Sequence, residues 1–375
     1  MLGNLATGSS RPRRLLLALF VLSILILLPT FANAQAVIKV NDDVSFRVGA
    51  QLQLWGDMAQ DATTNEYNQN LFIRRARVLL TGSVMKDVTF FIQTDNPNIG
   101  KTPKALGSGF VLQDAWAEWK ISDQFMLDGG LMLVPLSREE LTSTTSFQTI
   151  DISPTATVFA TPTQTSATRD TGFQGKGYLA DGRLEYRLGF FQGVRVPATA
   201  TTVASRNTFL HAAYVQYDFF EKERGYVYAG TNRGTRKILA LSAGYDGQKD
   251  YRAWSANFHT TIPVMGKNEV AALAQVMHYD GGKFLTAIPR QNDYLAEFDY
   301  YIAPSKVQPF LKYENQAFGV SSSPSKDVKR YAGGLNYYVN GQNLKFTGQL
   351  TRVVPDNNAI RSTNQFTIQM QVWYY

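Results

Sequence analysis

The sequence from about residue 46 onwards alternates apolar and polar side chains in blocks of about ten residues. In one block near the C-terminus, five apolar residues share a face: Phe366, Ile368, Met370, Val372 and Tyr374. Three of the four positions between them are Thr or Gln. Alternation with period two over such lengths predicts strands with one apolar and one polar face, and no sustained helical spacing competes with it.

Sixteen such blocks can be counted. They fall at 46–57, 70–84, 87–96, 110–121, 124–133, 171–179, 183–192, 208–219, 236–246, 250–262, 267–280, 291–301, 306–317, 328–339, 343–353 and 364–375. Their lengths suit membrane-crossing strands of about 9–11 residues better than soluble strands of about 5–6 residues. A secreted β-sandwich or propeller would also alternate, but polar faces rich in Gln, Thr, Asn, Lys and Arg suit a water-filled interior.

Alternate connections between the blocks are short, which is typical of the periplasmic turns of an outer-membrane barrel. The short ones are 85–86, 122–123, 180–182, 263–266, 302–305 and 340–342. Two connections break the rule, because 220–235 is long where a short turn is expected and 247–249 is short where a long loop is expected. We interpret this region as containing either an extra hairpin or a misplaced strand.

Aromatic residues gather near the predicted strand ends. They include Trp116 and Trp119, Phe190 and Phe191, Phe219 and Phe220, Tyr300 and Tyr301, Tyr337 and Tyr338, and Trp373 to Tyr375. Amphipathic rings settle at the level of the lipid headgroups, so this placement predicts aromatic girdles at the two membrane interfaces.

The first 34 residues have the features of a secretory signal peptide. A basic region with Arg11, Arg13 and Arg14 precedes an apolar run that ends before Pro29, and a small-x-small site follows at 32–34. Cleavage there leaves 35–375 as one barrel domain and lowers the formal net charge from +7 to +4. A nucleic-acid partner is then not expected, and a retained N-terminal anchor is the alternative interpretation.

Catalytic and metal-binding patterns are weak in this sequence. There is no cysteine, and the three histidines, His211, His259 and His278, lie in three different predicted strands without a Gly-x-Ser-x-Gly motif. By alternation, His259 faces the same side as Ser255 and Asn257. We therefore expect a chain without enzyme activity, metal or other cofactor.

Five segments follow one another in a recognisable order and spacing. They are FIRRARV at 72–78, LQDAWAEW at 112–119, DGGLMLVPLSRE at 128–139, RDTGFQG at 169–175 and LEYRLGFFQG at 184–193. Over most of residues 40–375 this series resembles the phosphate-selective porin O and P family. The resemblance implies a sixteen-stranded outer-membrane pore, usually trimeric, with a third loop folded inward.

Alternation also predicts which basic side chains face the interior. The expected pore-lining residues are Arg75, Arg77, Lys120, Lys176, Arg183, Arg187 and Lys345. A row of inward Arg and Lys residues would provide successive weak anion sites, and the arginine fork suits phosphate. Some rows also carry acids, as in 183–187, which equally fits a general diffusion channel. Both interpretations remain open at this point.

The longest connection, 134–170, is expected to fold inward and narrow the pore, because a loop of this length in a compact domain usually has a function. Arg138, Glu139 and Arg169 are the expected constriction residues. Its many Ser and Thr residues would also suit a neutral or sugar-like solute. The alternative is a surface loop without a gating role.

These observations predict an all-β fold: a 16-stranded antiparallel transmembrane β-barrel with an inward-folded third extracellular loop. The expected function is a porin in the outer membrane that lets small hydrophilic solutes diffuse, with a possible preference for anions or phosphate. Its expected partners are outer-membrane lipid, the solutes and two further copies in a homotrimer. A non-conducting adhesive or structural barrel is the alternative, followed by a barrel enzyme.

Overall fold

The computed structural model describes residues 37–101, 109–158, 168–195, 208–319 and 326–375. The predicted signal peptide lies outside the described residues. Apart from a short 3-10 turn at Pro154–Thr157, the regular structure is all β. Within the part of the chain that the structure describes, no helix has the length and apolar composition needed to cross a membrane.

The structure contains a short first strand, β1, followed by sixteen longer ones. They are β1 (Val37–Lys39), β2 (Ser45–Gln60), β3 (Tyr67–Met85), β4 (Val88–Asp95), β5 (Val111–Lys120), β6 (Met126–Leu133), β7 (Arg169–Leu179), β8 (Leu184–Phe191), β9 (Leu210–Asp218), β10 (Ile238–Gln248), β11 (Tyr251–Val264), β12 (Asn268–Asp280), β13 (Gln291–Tyr301), β14 (Val307–Phe318), β15 (Val328–Asn340), β16 (Leu344–Pro355) and β17 (Thr363–Tyr374).

Strands β2–β17 close into one antiparallel barrel. Each pairs with its neighbour along the chain, and β17 pairs with β2, so that the ring has no free edge. The short strand β1 pairs only with the first residues of β2, beyond the end of β17. Each of the sixteen predicted blocks overlaps one barrel strand, which confirms the predicted all-β, 16-stranded antiparallel barrel.

The two faces of the strands differ as the alternation predicts. On β17, Phe366, Ile368 and Val372 are exposed, whereas Thr367 and Gln371 between them are buried. A closed sheet with exposed apolar side chains outside and buried polar ones inside is stable in lipid, because all of its backbone hydrogen bonds are made between strands. The outer face is therefore the lipid face.

Consecutive aromatic residues within a strand point to opposite faces of the barrel, so only one residue of such a predicted girdle pair can reach lipid, whereas Phe219 and Phe220, which follow β9, are both exposed. Phe190 is 62% exposed and Phe191 is fully buried. On β5, Trp119 is exposed, but Trp116 packs inside against Tyr226 and the Lys176 ammonium. The assignment of Trp116 to the girdle was wrong, because it shares the inward parity of Asp114 and Glu118.

The two exceptional connections are real features of the chain. Residues 219–237 join β9 to β10 and contain no strand, and residues 249–250 join β10 to β11 as a tight turn. Both flanking strand pairs are in register. The hypotheses of an extra hairpin and of a misplaced strand are therefore both wrong, and the long connection has a packing role inside the barrel.

A charge placed on the lipid face tests this orientation. Leu335 is exposed near the middle of β15, and Val339 is exposed near its periplasmic end. Leu335→Arg is expected to destabilise the folded barrel by about 2–4 kcal/mol, whereas Val339→Arg should cost about 0–1 kcal/mol because arginine there reaches the interface. Denaturant unfolding from lipid vesicles measures both, and equal losses would contradict the assigned depth.

Candidate permeation site

Residues 134–158, here called the long loop, contact opposite walls of the barrel. Arg77 of β3 donates a hydrogen bond to Thr144 at 3.1 Å, and Ser255 of β11 donates to the Leu136 carbonyl at 2.6 Å. Strands β3 and β11 stand eight places apart in the ring of sixteen. Lys345 of β16 also donates to the carbonyl of the long loop at Thr145. The long loop therefore bridges the walls.

Residues 219–237, here called the long turn, pack against the long loop. Arg138 of the long loop forms a buried bidentate ion pair with Glu223 of the long turn, at 2.5 and 3.0 Å, and lies over the Tyr228 ring. The Tyr228 backbone also makes two hydrogen bonds to the long loop, at 2.7 and 2.9 Å. A side chain at Gly230 would meet the Ser146 carbonyl, so the two segments approach closely here. This packing explains the unusual length of the turn.

A cavity of about 700 Å³ lies between the long loop and the wall formed by β2–β7. Its lining extends from Arg74 to Trp373 and Tyr375, which stand at the periplasmic end of β17. Four arginines line it, namely Arg74, Arg75, Arg77 and Arg169. We call this side the arginine wall.

Every arginine of this wall is paired with an aspartate. Asp151 of the long loop binds both Arg74 and Arg75, at 2.8 and 2.5 Å. The two further ion pairs join Arg77 to Asp95 at 2.9 Å and Arg169 to Asp114 at 3.3 Å. The four positive charges thus face three negative ones.

The surroundings of two carboxyl groups of the long loop, Asp151 and Glu140, shift their pKa values in opposite directions. Burial alone would raise the pKa of Asp151, but Arg74 and Arg75 hold that pKa below its usual range, so the carboxylate is charged. Burial raises the pKa of Glu140, which also lines the cavity, and nearby Asp246 raises it further. The charged form of Glu140 is therefore disfavoured relative to a carboxyl in water.

Arg74 was not among the expected pore residues, and a β-bulge explains why it reaches the cavity. Gln53 pairs with Arg75 and Leu54 pairs with Ile73, which leaves Arg74 as an extra residue on β3. A bulge breaks strict alternation, so that two consecutive side chains can serve one face. Both guanidinium groups consequently meet at Asp151.

Aromatic residues form another part of the cavity lining. The rings of Phe91, Trp116 and Tyr226 lie within 4.6–5.9 Å of one another, and all three are half-buried. Tyr226 belongs to the long turn, and its hydroxyl donates to Asp114 at 2.7 Å. We call these three residues the aromatic cluster.

The remaining expected residues are placed in two groups. Lys176, Arg187 and Lys345 are buried, and Lys176 contacts Glu118 and Asp128 at 2.6 and 3.1 Å. The second group lies at the periplasmic rim. There Lys120 pairs with Asp123, and Arg183 donates to three backbone carbonyls at 218–220.

Arg187 and Glu139 make contacts that hold the long turn and the long loop in place. Arg187 pairs with Glu185 at 2.7 Å and donates to the long-turn carbonyls of Gly225 and Tyr226. Glu139 is buried and accepts from the Ser153 backbone of its own loop at 2.6 Å.

On the other side of the long loop from the arginine wall, the inner face of β13 and β14 is acidic. Lys312 of β14 lies among three carboxylates, at 3.8 Å from Glu139, 3.4 Å from Glu297 and 3.0 Å from Glu314. The inward positions of Lys312 and Glu314 agree with the alternation of β14. The charges are therefore distributed unevenly, with arginines at the cavity and carboxylates behind the long loop.

The histidines form no catalytic arrangement in the described part of the chain. His259 is buried on the inner face with Ser255 and Asn257, and its Nε2 has no hydrogen-bond partner there. His278 stacks on Trp254. Among the described residues, no group of three or more His, Cys, Asp or Glu side chains is arranged to hold a metal ion.

The sequence model of the phosphate-selective porin O and P family matches residues 46–310. No curated protein sequence is significantly similar to the chain. The solved structures with the same fold include outer-membrane porins and channels. The anion-selective porin from Comamonas acidovorans is 12% identical, with a TM-score of 0.61 over 88% of this chain and all of that one.

Two further solved structures share the fold. The outer-membrane channel DcaP of Acinetobacter baumannii is 11% identical, with a TM-score of 0.57 over 90% of this chain and 99% of that one. OmpT of Vibrio cholerae, described in a trimer form, is 9% identical, with a TM-score of 0.54 over 89% of this chain and all of that one.

Proposed function

Because this chain belongs to the phosphate-selective porin O and P family and is an outer-membrane channel for small solutes, we propose that solutes diffuse passively through the cavity at the arginine wall. The observation that carries this proposal is the cavity itself, which has charged and hydroxyl groups on two sides and extends to the periplasmic ends of the strands. Passage needs neither a cofactor nor a chemical step, because water and polar side chains solvate the solute along the way.

The long loop is the constriction in this proposal. Its residues 142–145 line the cavity and contact the arginine wall through the Arg77–Thr144 hydrogen bond, so the position of the long loop sets the width of the path. The expected constriction residues have two roles. Arg169 lines the path, whereas Arg138 and Glu139 hold the long loop through Glu223 and Ser153.

A bulky side chain inside the path tests this proposal. Thr81 lines the cavity on β3, and Val78 on the same strand is exposed on the lipid face. Thr81→Trp is expected to lower single-channel conductance severalfold because it narrows the wet cross-section, whereas Val78→Trp should leave it unchanged. Recordings in a planar bilayer measure both. Unchanged conductance in Thr81→Trp would place the path elsewhere in the barrel.

The selectivity we propose is a mild preference for anions. Four arginines against three aspartates give the path a small positive excess, and the Comamonas acidovorans porin with the same fold is described as anion-selective. Because every arginine already has a carboxylate partner, a passing anion must compete with that partner. A preference, rather than tight phosphate binding, is the consequence.

We propose further that the mature protein begins after residue 34 and assembles as a homotrimer in the outer membrane. The basic and apolar segments at 11–28 support export, and the OmpT structure of the same fold is described in a trimer form. Intact-mass spectrometry of the membrane-extracted protein should give a chain that starts at Gln35. Light scattering in detergent should give three chains per particle, and a monomer would refute the trimer.

A further inference from the structure

We propose that the cavity contains a subsite for a neutral, ring-bearing carbohydrate, and this inference rests on the proposed path through the cavity. Its elements are the aromatic cluster of Phe91, Trp116 and Tyr226, the paired charges beside it and the hydroxyl-rich stretch 142–145, all of which line the same cavity. Each element matches one property of a sugar.

The aromatic cluster supplies an apolar surface inside a polar channel. The ring centroids of Trp116 and Tyr226 are 4.6 Å apart, and Phe91 lies within 6 Å of both. Tyr226 is held rigidly, because its hydroxyl donates to Asp114 and accepts from the Leu133 backbone, both at 2.7 Å. Half-buried rings in a water path carry an apolar surface that a solute with an apolar face would cover. The C–H face of a pyranose ring has this property, whereas inorganic phosphate has no such face.

The ion pairs beside the aromatic cluster supply both hydrogen-bond donors and acceptors. Arg169 pairs with Asp114, directly next to Tyr226, and Arg77 pairs with Asp95. A sugar hydroxyl both donates and accepts, so it can bind either half of such a pair without breaking it. An anion gains only from the arginine and is repelled by the aspartate. This charge balance favours a neutral polyhydroxyl solute over an anionic one.

The hydroxyl groups in the lining and the size of the cavity agree with this solute class. Thr142, Ser143, Thr144 and Thr145 of the long loop line the cavity, and their hydroxyl groups donate and accept like those of a sugar. The volume of about 700 Å³ lies within the range of about 300–1,000 Å³ that is usual for sites of small ligands.

The experiment is block of the open-channel current by added solutes in a planar bilayer. Glucose, maltose, inorganic phosphate and benzoate are each titrated against the wild-type channel in KCl. The expected result is saturable block by maltose and glucose, with weaker or no saturable block by phosphate and benzoate. Saturable block by phosphate or benzoate without block by either sugar would overturn the inference and make the cavity an anion site.

Two tryptophans on β5 provide the matched variants, because Trp116 faces the cavity and Trp119 faces lipid. Trp116→Ala is expected to weaken sugar block by roughly tenfold, which corresponds to about 1.4 kcal/mol, because it removes one of the rings that the sugar would cover. Trp116→Phe keeps a ring and should retain most of the affinity, and Trp119→Ala should match the wild type. Full sugar block in Trp116→Ala would overturn the inference.

The two proposals fail in different ways. A channel that conducts ions but shows no sugar block refutes only the subsite. A protein that gives no current steps refutes the path, and the subsite with it. The solute series on the wild-type channel decides even where a variant does not fold.

Discussion

Glu223→Ala is expected to release the long loop from the long turn. The substitution leaves Arg138 buried without its carboxylate partner, and an uncompensated buried charge costs about 3–5 kcal/mol. Apart from Gln216 of β9, the side chains of this pair bind the long turn and the long loop, so we expect movement of the long loop to restore water to Arg138. Single-channel recordings should show larger and noisier currents, and limited proteolysis should cleave within 134–158 faster than in the wild type.

Two controls separate this effect from general damage to the barrel. Asp181→Asn removes a pair with Lys222 that is exposed at the periplasmic rim, and it should change neither currents nor proteolysis. The double variant Arg138→Met with Glu223→Leu removes both charges and should recover most of the wild-type behaviour, because no charge is then left unpaired. A Glu223→Ala channel with the current noise and protease resistance of the wild type would contradict the conclusion that the Arg138–Glu223 ion pair holds the long loop against the long turn.

Two variants at the arginine wall, one single and one double, should shift ion selectivity in opposite directions. Asp151→Asn removes the carboxylate that holds Arg74 and Arg75, which raises the positive charge of the path and should increase its anion preference. Arg75→Ala with Arg77→Ala leaves Asp95 without its arginine and Asp151 with Arg74 alone, and should shift the preference towards cations. The reversal potential in a tenfold KCl gradient measures this directly, with a limit of about 59 mV for perfect selectivity.

The control for selectivity is Lys120→Ala. Lys120 lies at the periplasmic rim, half-exposed and paired with Asp123, so its screened charge should not move the reversal potential. If both arginine-wall variants keep the wild-type reversal potential, the arginines serve only to hold the long loop, and selectivity arises elsewhere.

The strands were predictable from the sequence because lipid enforces their pattern. A charge on the outer face at mid-membrane costs about 2–4 kcal/mol, so alternation is strict on strands such as β17. Parity therefore placed Arg75, Arg77 and Lys176 on the inner face. The same parity could have placed Trp116 inside, since it shares a face with Asp114, but its position near an aromatic neighbour favoured the girdle interpretation.

The contacts that define the path were not predictable from alternation. Arg74 depends on a β-bulge, and an extra residue in one strand is visible only once its partner strand is known. Asp151, Glu223 and Tyr226 lie in segments without periodicity, so nothing in their spacing indicates which wall they reach. The one available signal was the length of the predicted connection 220–235, which was an exception to the turn rule and corresponds to the long turn that packs against the long loop.

The charge composition was a weak guide to ion selectivity, because the sequence does not show which charges are paired. The sequence leaves an excess of +4 after loss of the signal peptide, but selectivity depends on which charges are paired at the path. Arg138 and Arg187 are held by Glu223 and Glu185, away from the cavity lining. Only a structure separates arginines that hold the fold from those that meet the solute.

The most direct test of the central claim is a planar-bilayer recording of the purified, folded wild-type protein in KCl. A water-filled path along the arginine wall predicts stepwise current increases as single channels insert, with a reversal potential in a salt gradient that shows a mild anion preference. A protein that inserts and remains folded but gives no current steps would contradict the account, because the long loop and the long turn would then seal the barrel.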